Sequence, residues 1–142
     1  MKSRLSILWI FATLNYLYCD VVTLMDPHQL KGFLAGNLAG MAINQAFLFG
    51  AGVLVEIPIA MVLLSHVLNR RANRWANVGA GVIMTVVQVM SLVVKAPAAY
   101  YLFFSIIEIA TTASVVWFAW RWSAAADLQE QRVESHQLLG TE

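Results

Sequence analysis

The sequence predicts an all-α fold, an antiparallel four-helix transmembrane bundle with a short interfacial helix between the first two spans. Of the 142 residues, 60% are hydrophobic and only 12% are charged, whereas soluble domains carry about 25% charged residues. Four apolar stretches also have roughly the 20 residues that a helix needs to cross a bilayer. These predicted spans cover about residues 5–25, 45–68, 75–94 and 98–122.

The segment between the first two spans is typical of an interfacial helix, which we expect over about residues 27–36. Asp26 suits the N-cap, Pro27 suits the first helical position, and Gln29 completes a weak capping-box pattern. Gly36 is a suitable stop, because glycine readily adopts the left-handed conformation that ends many helices.

The basic residues predict the orientation of the bundle, because cytoplasmic loops are enriched in Lys and Arg. Those at one end are Lys2, Arg4, Arg70, Arg71, Arg74, Arg121 and Arg132, and those at the other end are Lys31 and Lys95. Both termini and the turn between the second and third spans are therefore expected in the cytoplasm. Residues 1–122 form the predicted membrane domain, and the polar residues 123–142 form a soluble cytoplasmic tail.

One carboxylate and one proline interrupt the second span near its centre. Glu56 lies in the apolar run from Ala46 to Leu68, close to the hydrocarbon midplane, where a charged side chain costs about 3 kcal/mol on insertion scales. Pro58 cannot donate a backbone hydrogen bond to the carbonyl of Leu54, so we expect a kink two residues from Glu56. A carboxylate at this depth therefore needs a charged or hydrogen-bonding partner, a proton or a water-filled cavity, or it is retained for a function.

Each predicted span carries one stripe of polar or small side chains at helical spacing. In chain order the stripes comprise Trp9, Thr13, Tyr16 and Asp20; Gln45, Gly52, Glu56 and Ala60; Asn77, Gly81, Thr85 and Gln88; and Tyr101, Ser105, Glu108, Thr111 and Thr112. In lipid, polar faces should turn inward and apolar faces outward. The stripes therefore predict a bundle with a polar interior.

The acids of these stripes are expected at increasing depth from the outer face. At 1.5 Å per residue, Asp20 lies about 7 Å below the outer helix end, Glu108 about 15 Å and Glu56 about 17 Å. We expect Glu56 and Glu108 to face each other, with Gln88 between them in depth, and two facing carboxylates cannot both stay ionised at low dielectric. The predicted ligand- or proton-binding residues are Glu56, Glu108, Asp20, Gln88, Tyr16 and Ser105.

The composition excludes several classes of function. Cys19 is the only cysteine, which rules out an intramolecular disulfide, a CxxC redox pair and a thiolate zinc cage. A formal net charge of +1 provides no general attraction to nucleic acid. The sequence predicts no cofactor and no metal site, and it assigns no catalytic residue.

Five segments carry a resemblance to a known family: Leu14–Asp20, Met25–Pro27, Val55–Met61, Arg71–Asn77 and Phe104–Thr112. They resemble an uncharacterised family of small bacterial four-helix integral membrane proteins, and the likeness extends to about Trp122. In plan the chain is also loosely similar to DoxX-like proteins. The resemblance implies a multi-pass protein of the bacterial inner (plasma) membrane, and it implies no particular activity.

Three functions are compatible with these patterns. The first is a binding or transport module, whose acid-lined cavity opens to the outer face and takes a small cation, a proton or an amphipathic ligand. The second is an intramembrane enzyme that uses Glu56 and Glu108 as acid and base on a lipophilic substrate. The third is an accessory membrane subunit whose polar core only fixes helix packing. The first is favoured, because the sequence provides no nucleophile, cofactor motif or metal set.

The expected partners follow from the same reasoning. They are membrane lipids and a small lipophilic or cationic ligand, with no nucleic acid. The oligomeric state is open, since the sequence is compatible with a homo-oligomer and with an unknown membrane partner.

Overall fold

A computed structural model of the chain describes residues 1–38, 40–94 and 98–122. Within these residues the elements, in chain order, are α1 (Lys2–Met25), α2 (Pro27–Leu34), β1 (Asn37–Leu38), β2 (Met41–Ala42), α3 (Gln45–Val67), α4 (Arg70–Val94) and α5 (Ala99–Arg121). The helices α1, α3, α4 and α5 are each long and apolar enough to cross a membrane, which confirms the predicted fold class. The predicted tail at 123–142 and the connection at 95–97 lie outside the described residues.

Hydrogen bonds at both ends of the bundle are consistent with the antiparallel arrangement. Lys2 Nζ donates to the carbonyl oxygens of His66 at 3.2 Å and Leu68 at 2.8 Å, which joins the start of α1 to the end of α3. At the opposite end, the Tyr100 hydroxyl donates to Asp26 Oδ2 at 3.4 Å, which joins the start of α5 to the start of α2. We term these the basic end and the α2 end.

The helix α1 is central to the packing of the bundle. It packs against α3 and against α5, while α4 packs mainly against α5 and makes a smaller contact with α3. The buried apolar core lies nearer the basic end and comprises Leu5, Trp9, Ala12, Met61, Ala80, Met84, Val115, Ala119 and Trp122. The outward faces of the long helices carry exposed Leu, Ile, Val and Phe side chains, as surfaces that contact lipid require.

The connection from α1 to α3 follows the predicted local signals and adds a hairpin. Asp26 caps α2, since its Oδ1 accepts a hydrogen bond from the backbone N–H of His28 at 2.9 Å. The helix ends at Leu34, and Gly36 has a φ of +69°, the left-handed conformation expected of the stop. The antiparallel pair of β1 and β2 was not predicted, because two-residue strands are too short to show alternation.

The helix α4 begins at Arg70, five residues before its predicted start at Trp75. Asn69 provides the cap that the prediction overlooked: its Oδ1 accepts from the backbone N–H of Ala72 at 3.0 Å, and its carbonyl accepts from that of Asn73 at 2.8 Å. Arginine is a good helix former, so Arg70, Arg71 and Arg74 form part of the first turns of α4.

The predicted inward face of α3 is wrong. Its buried residues are Pro58, Met61 and Ser65, whereas Gln45, Gly52 and Glu56 are exposed. Glu56 and Pro58 are two residues apart, which places their side chains about 200° apart around the axis of a helix with 3.6 residues per turn. Because Pro58 packs inward, Glu56 faces away from the bundle interior.

Candidate functional site

The predicted polar stripes of α4 and α5 meet, and short hydrogen bonds join them. Gln88 Nε2 donates to Ser105 Oγ at 2.7 Å, and Ser105 Oγ donates to the carbonyl oxygen of Tyr101 at 2.7 Å. Nearer the basic end, the hydroxyl oxygens of Thr85 and Thr112 lie 2.8 Å apart. These bonds hold the polar face of α5 in a fixed position against α4.

Glu108 lies on this face of α5, between Ser105 and Thr112, and its side chain is only 1% exposed. Both of its carboxylate oxygens are buried, and neither has a hydrogen-bond partner within the described residues. The groups of α1 close enough to interact with it electrostatically are Tyr16, Cys19 and Asp20. The carboxyl group is therefore located where α5 packs against α1.

Two further buried polar atoms, both on α1, lack a partner among the residues that the structure describes. They are the Tyr16 hydroxyl and Asn15 Nδ2. A phenol can both donate and accept a hydrogen bond, and buried polar groups in folded proteins are nearly always paired. Tyr16 therefore brings a second unused hydrogen-bonding group to the surroundings of Glu108.

Asp20 extends this site toward the α2 end of the bundle. It follows Tyr16 by four residues, about one helical turn, and its side chain is exposed. It also interacts electrostatically with Glu108. One face of α1 thus presents a carboxylate near the surface and a phenol deeper in the bundle.

Glu56 is not part of this group. Its side chain is exposed, and α3 packs mainly against α1. The expected pairing of Glu56 with Glu108 across the bundle is therefore wrong, because the two acids lie on different sides of the helix packing. The other five predicted residues, namely Tyr16, Asp20, Gln88, Ser105 and Glu108, lie on the facing stripes of α1, α4 and α5.

A second polar cluster lies at the basic end, and we term its four residues, Trp9, Ser65, Asn73 and Asn77, the Asn77 cluster. Trp9 Nε1 donates to Asn77 Oδ1 at 2.7 Å, and Ser65 Oγ donates to the same oxygen at 3.4 Å. Asn77 Nδ2 donates to the carbonyl oxygen of Asn73 at 2.9 Å, and Asn73 Nδ2 donates to that of Ser65. These buried groups satisfy one another across α1, α3 and α4.

The Asn77 cluster and the group around Glu108 differ in how far their buried polar atoms are hydrogen-bonded. A polar core that only fixes helix packing is stable when each of its members is hydrogen-bonded. The Asn77 cluster meets that condition. The carboxylate of Glu108 and the phenol of Tyr16 do not.

A family model matches residues 1–128, which include every helix from α1 to α5. The chain belongs to DUF6326, a family of unknown function. This finding confirms the predicted membership in an uncharacterised family. No curated protein and no solved structure matches the chain. Because membership in DUF6326 brings no activity with it, the functional argument depends on the geometry around Glu108.

Three polar core residues of this DUF6326 chain lie outside the predicted stripes: Ser6, Ser65 and Asn73. Two spacings in the sequence point to Asn73 and Ser65. Asn73 is four residues before Asn77, and Ser65 is seven after Pro58, spacings that share one helix face. The predicted stripe of the third span does not include Asn73, because this residue precedes the predicted helix start at Trp75.

The Glu108 site can bind a ligand by charge and hydrogen bonds, and its carboxyl group can take up or release a proton. Within the described ranges, no group of three His, Cys, Asp or Glu side chains is arranged to hold a metal ion. The site offers one buried carboxyl group, one phenol and an outlying carboxylate. This set suits a proton or a cation with few coordination demands.

Proposed function

We propose that this protein is a multi-pass membrane protein that binds a proton, a small monovalent cation or an amphipathic cation at Glu108, and that it translocates this ligand across the membrane. The observation that supports the proposal is the burial of both carboxylate oxygens of Glu108 without a hydrogen-bond partner among the residues that the structure describes. Intramembrane acids are functional-site candidates by default, and this one is not explained by packing.

The physical argument starts from the cost of an isolated charge. A carboxylate in a low-dielectric interior is strongly destabilised unless a proton or a counter-charge neutralises it. The titratable side chains of α1 that interact electrostatically with Glu108 are a phenol, a thiol and another acid, and none of these is basic. A proton and a bound cation are therefore the two neutralising partners that suit the site, and they compete for it.

The neighbours of Glu108 define the expected ligand and its route. The Tyr16 hydroxyl can hydrogen-bond to a ligand, and its ring offers a π face to a positive charge. Asp20 is exposed and lies one turn nearer the α2 end, so we place the access route there. A route of this kind corresponds to an acid-lined cavity that opens at the α2 end.

The orientation and location belong to the same proposal. The excess of basic residues at the basic end supports cytoplasmic termini, which makes the α2 end the outer face. Placement in a bacterial inner membrane is supported by the resemblance of the chain to small bacterial membrane proteins. In this arrangement Asp20 would meet a ligand arriving from outside the cell.

The two alternative functions have less support. An enzyme with Glu56 and Glu108 as an acid–base pair requires the two side chains to meet, and Glu56 faces away from the interior. An accessory subunit with a structural polar core is supported by the Asn77 cluster. That function gives no reason for a buried Glu108 whose oxygens have no partner among the described residues.

The test compares Glu108→Gln with Glu56→Gln, the same substitution at an exposed acid of another span. Tetraphenylphosphonium, a lipophilic cation, serves as the probe in equilibrium dialysis of the detergent-solubilised protein over a range of pH. We expect the wild-type affinity to rise with pH, because the cation and the proton compete for one carboxylate. We expect Glu108→Gln to weaken binding by about tenfold or more, equivalent to about 1.4 kcal/mol, and to remove the pH dependence.

Glu56→Gln should bind the probe within about twofold of the wild type, which corresponds to about 0.4 kcal/mol. Proteoliposomes with an imposed pH gradient then separate binding from transport, since only transport gives a proton flux that Glu108→Gln abolishes. If Glu108→Gln changes neither binding nor flux and raises the melting temperature, the carboxyl group serves packing alone and the proposal is wrong.

A further inference from the structure

A shallow groove runs along the outer surface between α4 and α5, in the half of the bundle nearer the basic end. Its volume is about 340 Å³, and its lining includes Val82 and Val86 of α4 together with Val116, Trp117 and Trp120 of α5. The valine and tryptophan side chains leave an almost wholly apolar surface. This groove is separate from the Glu108 site, which lies on the inner face of α5.

Two guanidinium groups lie on the tryptophan rings that line the groove. The Arg74 guanidinium carbon is 5.6 Å from the centre of the Trp120 ring and 5.9 Å from that of Trp75. The two indoles are in edge contact at 6.2 Å. The Arg121 guanidinium carbon is 5.1 Å from the centre of the Trp117 ring. Stacking on the rings places both positive charges beside the groove at its basic end.

Within the described ranges, neither of these guanidinium groups pairs with a carboxylate. Stacked arginines of this kind keep their N–H donors available, and the planar guanidinium group matches the geometry of a phosphate. The groove therefore combines an apolar channel with anion-binding donors at one end. That combination of charge and shape is complementary to a phospholipid with a negative headgroup.

We propose that the groove binds an anionic phospholipid, with its phosphate on Arg74 and Arg121 and one acyl chain along Val82, Val86 and Val116. The length of the groove is close to the depth of one leaflet. Twelve residues of helix separate Arg74 from Val86, or about 18 Å at 1.5 Å per residue. One leaflet of the hydrocarbon core is about 15 Å deep, half of the full thickness. Exposed tryptophans at the same level suit the membrane interface.

The test uses native mass spectrometry of the intact protein in detergent, with phosphatidylglycerol and phosphatidylcholine added in equal amounts. We expect phosphatidylglycerol to be retained in preference. Replacing Arg74 and Arg121 together by Gln should reduce that preference by about fivefold for each arginine, which is the usual contribution of one basic residue near an anionic lipid surface. The matched control is Arg71→Gln, which removes an exposed charge from the same helical turn without touching the groove.

A second pair of variants tests the apolar half of the site. Ala113 lines the groove and Ala110 does not, although both are exposed on α5. Ala113→Phe should fill the groove and reduce the retention of both lipids, whereas Ala110→Phe should leave retention unchanged. Equal retention of the two lipids, a loss in Arg71→Gln as large as in the double variant, or full retention in Ala113→Phe would each overturn the proposal. Competition by inorganic phosphate at the same concentration would do so as well, since it would show a site for a free anion.

Discussion

Glu108 and Asn77 are both almost fully buried polar side chains, yet they have opposite consequences for the protein. Asn77 uses its oxygen and its amide nitrogen in hydrogen bonds to Trp9, Ser65 and Asn73. Glu108 uses neither carboxylate oxygen within the described part of the chain. At the scale of single residues, hydrogen-bond satisfaction therefore distinguishes Asn77, which joins helices of the bundle, from Glu108, at which we propose a ligand site.

This difference predicts the effect of Asn77→Leu. The substitution leaves the indole N–H of Trp9 and the Oδ1 atom of Asn73 buried without the partner that Asn77 provides, at a cost of about 1–3 kcal/mol for each unsatisfied group. The measurement is the free energy of unfolding in detergent. The control is Thr13→Val, because the Thr13 hydroxyl donates only to the carbonyl of Trp9 in its own helix. Equal stability of the two variants would contradict the role given to the Asn77 cluster.

At the scale of elements, the close contact of α4 with α5 depends on one glycine. A Cβ atom at Gly81 would lie 2.6 Å from Val116 Cγ2 and 3.3 Å from the carbonyl oxygen of Thr112, whereas one at Gly79 would meet nothing within 4 Å. Small residues at helix–helix contacts let backbones approach closely in membranes. The Thr85–Thr112 contact next to Gly81 requires this approach.

Gly81→Ala should therefore destabilise the protein, while Gly79→Ala should not. Overpacking of a close contact costs about 1–3 kcal/mol, and the carbonyl of Thr112 cannot move without shifting α5. Thermal unfolding of the two variants in the same detergent gives the comparison. If Gly81→Ala unfolds at the wild-type temperature, the helices are free to separate and the geometry of the polar face of α5 is not fixed by this contact.

At the scale of the whole molecule, the antiparallel order places the start of α1 beside the α3–α4 turn, as the bonds of Lys2 indicate. A membrane-impermeant maleimide can test this in vesicles, starting from Cys19→Ala. Ser3→Cys and Ala72→Cys should react from one side of the membrane, and His28→Cys from the other. Reaction of Ser3→Cys and Ala72→Cys from opposite sides would contradict the bundle. Reaction of both from the outer side would reverse the proposed orientation and leave the fold unchanged.

Much of the architecture was predictable because it is local. The lengths of the spans follow from apolar composition. Asp26 and Gly36 cap and end α2 through the backbone of adjacent residues. The polar stripe of α5 with Ser105 and Glu108 contrasts clearly with the apolar faces of that helix. The predicted start of α4 lies five residues late because the basic residues from Arg70 to Arg74 resemble a turn, although Asn69 carries the cap signal. Five of the six predicted site residues lie on facing stripes, because a polar face on an otherwise apolar helix is visible in the sequence and turns inward in the bundle.

The sequence alone determined the four spans, their alternation and the inward faces of α4 and α5. Only the tertiary structure decided which way α3 faces. The sequence of α3 is apolar on nearly all sides, so its rotation about its own axis depends on the surfaces of α1 and α4 against which it packs. The position of Glu56 alone therefore does not indicate which face of α3 is buried. The lack of a partner for Glu108 within the described part of the chain is likewise a tertiary property. It depends on which side chains of α1 lie opposite, and the packing of distant segments sets these.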